Sequence, residues 1–157
     1  APQLTGPDGQ RTLPLADFYR PPKPDVQRAN GYHPVTVLAP NELITEVVIP
    51  RPAEGTRSAY VKMMERGEWD FALVSVAVCL RMSGETVEGA KIALGGVATI
   101  PWLGDGAAEA LVGESLAEGA IDAAAGAAVA DARPLEHNGY KVDLLKGAIK
   151  EALRAFI

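Results

Sequence analysis

A single cysteine, Cys79, stands in 157 residues, so no internal disulfide can form. The two histidines, His33 and His137, are far apart in sequence. No Cys/His set shows metal-ligand spacing, and no metal site is expected. Concentrated positive charge is also missing. Fifteen Lys and Arg face 20 Asp and Glu, the net charge is −5 and the pI is about 5.0. Such a chain is a poor nucleic-acid binder, because phosphate recognition needs clustered cations. No apolar run approaches the roughly 20 residues that span a bilayer, and no signal peptide is visible. The expectation is a cytoplasmic protein without a membrane span, a periplasmic one staying open. Position 1 is Ala rather than Met, as in a chain that is processed or cut from something longer. There is no GxGxxG fingerprint, no P-loop and no GxSxG context around Ser75. Ser75 is read as a core-facing polar residue bonded to backbone.

What is present suits one soluble domain with a real core: 48% hydrophobic and 22% charged residues. Leu4 to Leu15 reads as a hairpin turning at Pro7-Asp8-Gly9, with Leu13 and Leu15 alternating with polar neighbours. Phe18 to Pro34 holds Pro21, Pro22, Pro24 and Pro34 and reads as an extended loop lying over a neighbouring surface. Pro40-Asn41-Glu42 makes a turn, and Leu43–Ile49, Ser58–Met64, Phe71–Met82 and Thr86–Val97 read as strands of one antiparallel sheet. The third lacks alternation, which predicts burial on both faces. Ser83-Gly84-Glu85 is its hairpin turn. Beyond Pro101 the composition becomes Ala-rich, and three helices are expected: Asp105–Val112, Leu116 to about Asp131 behind a Ser115/Glu118 capping box, and about Lys141 to Phe156. Strands first and helices second argue an α+β class, an antiparallel sheet of three to four strands with two to three helices on one face.

The densest polar and aromatic cluster runs from Lys62 to Phe71. It joins two strands. A planar ring could rest on Trp69 or Phe71 while Lys62 or Arg66 polarises its carbonyl oxygens. The bland reading is a solvated hairpin loop. Gly95-Gly96 reads either as a close backbone approach to a ligand or as a simple bend. Cys79 reads as a small buried hydrophobe, and the two histidines as solvated. No catalytic residue is assigned. The residues alone leave two functions open, a cofactor-supporting domain of an enzyme and a non-catalytic interaction domain.

Four ordered segments carry a resemblance. They are Leu38-Ala39-Pro40-Asn41-Glu42-Leu43-Ile44-Thr45-Glu46-Val47-Val48-Ile49-Pro50; Arg57–Lys62 with Asp70–Val78; Lys91–Ala98 with Pro101-Trp102; and Asn138-Gly139-Tyr140-Lys141-Val142. Together they resemble the C-terminal half of the FAD-binding medium subunit of the molybdenum hydroxylases, the xanthine, aldehyde and CO dehydrogenase type. The resemblance implies that residues 1–20 end the FAD-binding domain, 21–35 form a connecting loop and 36–157 form the flavoprotein C-terminal domain.

It further implies an oxidoreductase in which a molybdenum-cofactor large subunit oxidises substrate. Electrons then pass through the [2Fe-2S] clusters of a small subunit to FAD, and on to an external acceptor. No substrate chemistry falls to this chain. Residue by residue, Ile44 matches a position packed near the flavin and Lys62 a lysine that contacts it. Arg66, Trp69, Asp70 and Phe71 match the variable loop in front of the isoalloxazine. The family's Ala-Gly-Gly-Thr-type FAD segment does not occur here. The chain alone is therefore expected to bind FAD weakly or not at all, and to need the N-terminal FAD-binding part of the same subunit as its partner.

Overall fold

The computed structural model describes residues 1–21 and 35–157. By compactness the chain divides into two units, Ala1–Arg51 and Pro52–Ile157, each with its own sheet.

In the first unit, β1 (Pro2–Gly6) and β2 (Gly9–Thr12) form the expected hairpin around Pro7-Asp8. Gly9 accepts φ +114°, which a side chain would resist. The strand stops at Thr12. Leu15 opens a one-turn helix, α1 (Leu15–Phe18), instead of continuing the alternation, and it is Phe18 that is buried. β3 (Leu43–Val47) pairs antiparallel with the other edge of β1, giving the order β2-β1-β3. Leu43–Ile49 was expected in the larger sheet. β-Branched composition marks a strand but does not name its partner, and here the partner lies near the start of the chain. Residues 22–34, which hold most of the proline-rich stretch and His33, lie outside the described residues. Just before and after them, Tyr19 bridges Thr36, and Arg20 N–H donates to the Val35 carbonyl.

The second unit is a four-stranded antiparallel sheet in the order β4-β5-β6-β7. β4 is Thr56–Met63, β5 Val74–Ser83, β6 Thr86–Gly95 and β7 Trp102–Leu103. The two-residue β7, unseen in the sequence, replaces Leu43–Ile49 as the fourth strand. α2 (Asp105–Glu109), α3 (Glu118–Ala127) and α4 (Tyr140–Arg154) follow. The α+β class and the antiparallel sheet are as expected. Val74, Val76, Val78 and Leu80 of β5 join Ile92 and Leu94 of β6, Ile121 of α3, and Leu145, Ile149 and Leu153 of α4 in one buried cluster. Each such side chain contributes about 1.5–3 kcal/mol by leaving water.

Four expectations are corrected here. Beyond Ser75, β5 is covered mainly on one face: Val76, Val78 and Leu80 are buried, whereas Ala77 and, after Leu80, Arg81 are exposed. Small residues on the open face made the run look uniformly apolar. Phe71 lies outside β5 and is 94% exposed. The Ser115/Glu118 capping box does not form, because Ser115 is taken up in a bridge to Thr86 and the residue at the N-cap of α3 is Ala117. Ser75 is buried, but strand alternation puts it, with its register partners Lys62 and Gly95, on the sheet face opposite Val74 and Val76.

Candidate functional site

The β4–β5 loop, Met64 to Leu73, is built around one carboxylate. Strand pairing ends at Met63↔Val74, and Leu73 N–H donates to the Met63 carbonyl at 2.8 Å, closing the loop's base. Inside it, Asp70 Oδ1 accepts the N–H of Phe71 at 2.9 Å and Oδ2 the N–H of Arg66 at 3.4 Å. The Arg66 guanidinium stands 3.7 Å from the same Oδ2 and donates to the Trp69 carbonyl at 3.1 Å. From β4, Lys62 Nζ donates to the Asp70 carbonyl at 2.7 Å. Trp69 is held at φ +54°, the only non-glycine positive φ among the described residues. That conformation costs a bulky residue on the order of 1–2 kcal/mol.

With the backbone so tied, the side chains of Trp69 and Phe71 point outward, 95% and 94% exposed. Two large rings presented to water from an internally bonded loop are not part of the core. Lys62 keeps further N–H donors after serving the Asp70 carbonyl. The structure thus brings together Lys62, Arg66, Trp69, Asp70 and Phe71. Ile44 lies in the other unit, on β3, 46% exposed. The turn before it is pinned by Glu42, whose carboxylate accepts Arg11 Nε at 2.7 Å, Arg11 Nη2 at 2.8 Å and the Ala39 N–H at 2.8 Å. Chiefly the Arg11 hydrogen bonds, then that from Ala39, hold the Glu42 carboxyl down to about 2.

Gly95-Gly96 is more than a plain bend: it is a close approach to neighbouring strand and loop atoms. Gly96 sits at φ +73°, where a Cβ would stand 2.7 Å from the Leu73 carbonyl oxygen, and a Cβ at Gly95 would collide with Ser75 Oγ. Both glycines let β6 pass closely under the base of the β4–β5 loop. Lys141, at the start of α4, donates from Nζ to the Gly96 carbonyl at 3.0 Å. Two distant sequence segments therefore meet, beside a cleft of about 450 Å³ lined in part by Trp102, Asp105, Arg133 and Asn138. Sequence reasoning had no signal for that cleft. His137 is exposed beside Glu136, and Cys79 is half-buried on the open sheet face, paired with Ser58 and Lys91. Among the described residues no group of three His, Cys, Asp or Glu side chains could hold a metal, and no helix is long and apolar enough to cross a membrane.

Residues 59–156 match the CO dehydrogenase flavoprotein C-terminal domain. The chain belongs to that family. It is 35% identical over 156 residues to the carbon monoxide dehydrogenase medium chain of Hydrogenophaga pseudoflava, covering 97% of this chain and 50% of that one. It is 37% identical over 148 residues to the aldehyde oxidoreductase FAD-binding subunit of Escherichia coli K12, covering 94% and 41%. Among solved structures, the carbon monoxide dehydrogenase of H. pseudoflava that lacks the Mo-pyranopterin moiety matches 98% of this chain and 51% of that chain at 34% identity, with a TM-score of 0.81. Quinoline 2-oxidoreductase from Pseudomonas putida 86 matches 98% and 50% at 25% identity, also at 0.81. The resemblance read from the sequence is confirmed. The chain spans about half the length of the relatives it matches.

Proposed function

We propose that this chain is the acceptor-side part of an FAD subunit in a molybdenum-dependent hydroxylase or dehydrogenase, and that its β4–β5 loop borders the flavin ring. The carrying observation is the Trp69–Phe71 pair, held outward and almost fully exposed on a hydrogen-bonded loop beside Lys62. These residues fit the ring end of FAD: two flat apolar faces and a cationic donor. They do not fit its pyrophosphate, for which a Gly-rich backbone cradle is the usual device. FAD, when bound, would supply the two-electron relay between [2Fe-2S] clusters and an external acceptor. This chain's residues position and shield. Lys62 offers a positive charge to the ring's heteroatom edge, and Trp69 and Phe71 exclude water from one side. The first unit, with residues 1–20, would complete an FAD-holding domain, and 21–35 would connect it onward. Partners on this reading are the FAD-holding part of the subunit, an iron–sulfur small subunit and a molybdenum-cofactor large subunit.

The test is FAD titration of this chain alone and mixed with the FAD-holding half of the subunit, followed by indole fluorescence. Flavin-dependent quenching of Trp69 should occur only in the mixture. If changing Trp69 and Phe71 together to Ala leaves flavin affinity and absorption untouched in the assembly, the loop does not border the flavin. The second reading, a non-catalytic assembly domain, is favoured by β3, where all five residues are exposed and Leu43 reaches 72%. It predicts assembly with partner chains but no flavin response at Trp69.

A further inference from the structure

We propose that Asp70 is the positioning residue of this site, the single group that fixes where the charge of Lys62 and the rings of Trp69 and Phe71 stand. The inference rests on the flavin-edge reading above and specifies how that edge is held.

Four links converge on this residue. Its two carboxylate oxygens take one backbone N–H on each side of the strained Trp69, from Arg66 and from Phe71. Oδ2 also faces the Arg66 guanidinium, which in turn holds the Trp69 carbonyl. Its own carbonyl receives Lys62 Nζ. The carboxylate therefore acts on the backbone, and the backbone aims the side chains. Trp69 occupies a left-handed conformation that an unrestrained loop would leave. The Phe71 N–H bond to this carboxylate, at 2.9 Å, has the length of a charge-assisted bond, and the longer Arg66 contacts add to it. Lys62 is coupled into the same arrangement: if the Asp70 carbonyl turns away, its ammonium loses the contact that now locates it. Asp70 is itself only partly exposed, its side chain at 25% against 71% for Arg66. It sits inside the loop and need not touch the ligand to control it.

The arrangement explains why two rings at the tip of a surface loop are usable for recognition. A mobile loop carrying Trp and Phe would lose ordering entropy on binding, whereas a pre-set one loses little.

The experiment compares Asp70→Ala and Asp70→Asn with the parent in two settings. In the full chain with Trp102→Phe, which leaves Trp69 as the one indole, hydrogen exchange reports the Arg66 and Phe71 amides. Fluorescence anisotropy reports Trp69. In the complex with the FAD-holding half, the flavin's reduction potential and dissociation constant are measured. Asp70→Ala should raise exchange at both amides about tenfold or more, as expected for losing a bond to a charged acceptor. It should also lower Trp69 anisotropy, weaken flavin binding and shift the potential. Asp70→Asn keeps one acceptor oxygen and should restore protection at Phe71 more than at Arg66. Thermal unfolding of each variant separates loop loosening from loss of the fold. Unchanged exchange and anisotropy in both variants would overturn the positioning role while leaving the flavin-edge reading intact. A loosened loop with an unaltered flavin potential and affinity would establish the Asp70 hub and overturn the flavin-edge reading.

Discussion

Gly96 and Leu73 approach backbone to backbone: a Cβ at position 96 would stand 2.7 Å from the Leu73 carbonyl oxygen and 3.1 Å from that of Ala72. The φ of Gly96 is +73°, so two independent constraints exclude a side chain. Gly96→Ala should destabilise the protein by about 1–3 kcal/mol, the range for a strained backbone compounded by overpacking. Because Leu73 closes the base of the β4–β5 loop, the variant should also raise hydrogen exchange there. Urea unfolding and exchange mass spectrometry check both, and a variant of parental stability would mean that β6 moves away without cost.

Lys62→Met is expected to lower the flavin potential in the assembled subunit. A charge-assisted hydrogen bond is worth roughly 1.5–3 kcal/mol, and about 30 mV corresponds to about 1.4 kcal/mol for two electrons. The shift should be a few tens of millivolts wherever the contact strengthens on reduction. Potentiometry with rapid-reaction kinetics of both half-reactions is the measurement. A loss confined to substrate oxidation would contradict the assignment, since that chemistry belongs to another subunit in the proposed complex.

The Arg11–Glu42 pair gives the first unit a pH dependence. Glu42 is depressed to about 2 from an ordinary value near 4.3. A carboxyl lowered in the folded state stabilises fully above its unfolded value, and that contribution is lost as pH falls from about 4.3 toward about 2. Thermal unfolding from pH 6 to pH 2 should show the decline in the parent. In Glu42→Gln the slope should flatten in that interval. Equal slopes would show that the pair forms equally in the unfolded chain.

Ile149 is fully buried against the sheet. Ile149→Ala should cost about 2–5 kcal/mol. On the opposite sheet face, Ala77 is exposed in the register row Tyr60, Ala77, Ala93, Leu103. Ala77→Ser should change the stability of the isolated chain by no more than about 0.5 kcal/mol. Denaturant unfolding of the two variants tests which face of the sheet is the core.

β4, β5 and β6 were legible because β-branched runs and the Ser83-Gly84-Glu85 turn are local signals. α4 was legible because Leu145, Ile149 and Leu153 recur at helical spacing. Partner choice was not. Nothing within Leu43–Val47 says that its neighbour is Pro2–Gly6, because pairing is decided by tertiary packing. The Ser115/Glu118 pattern failed for a similar reason: the residues flanking Ser115 pair with Val87 and Glu85, and the helix starts later, behind Ala117. At the site, residue types from Lys62 to Phe71 marked the right loop. The arrangement within it escaped, since the contacts that define it run from side chains to backbone carbonyls and N–H groups, and these have no sequence signature.

α4 is the last element of the second unit in chain order, yet it packs directly on β4 and β5. During synthesis the β4–β6 strands therefore emerge with Val74, Val76, Val78 and Leu80 still lacking their main cover. For that interval the nascent sheet is a sticky surface, open to self-association and attractive to chaperones. A pause in synthesis between α3 and α4 would prolong that exposure without changing a single residue.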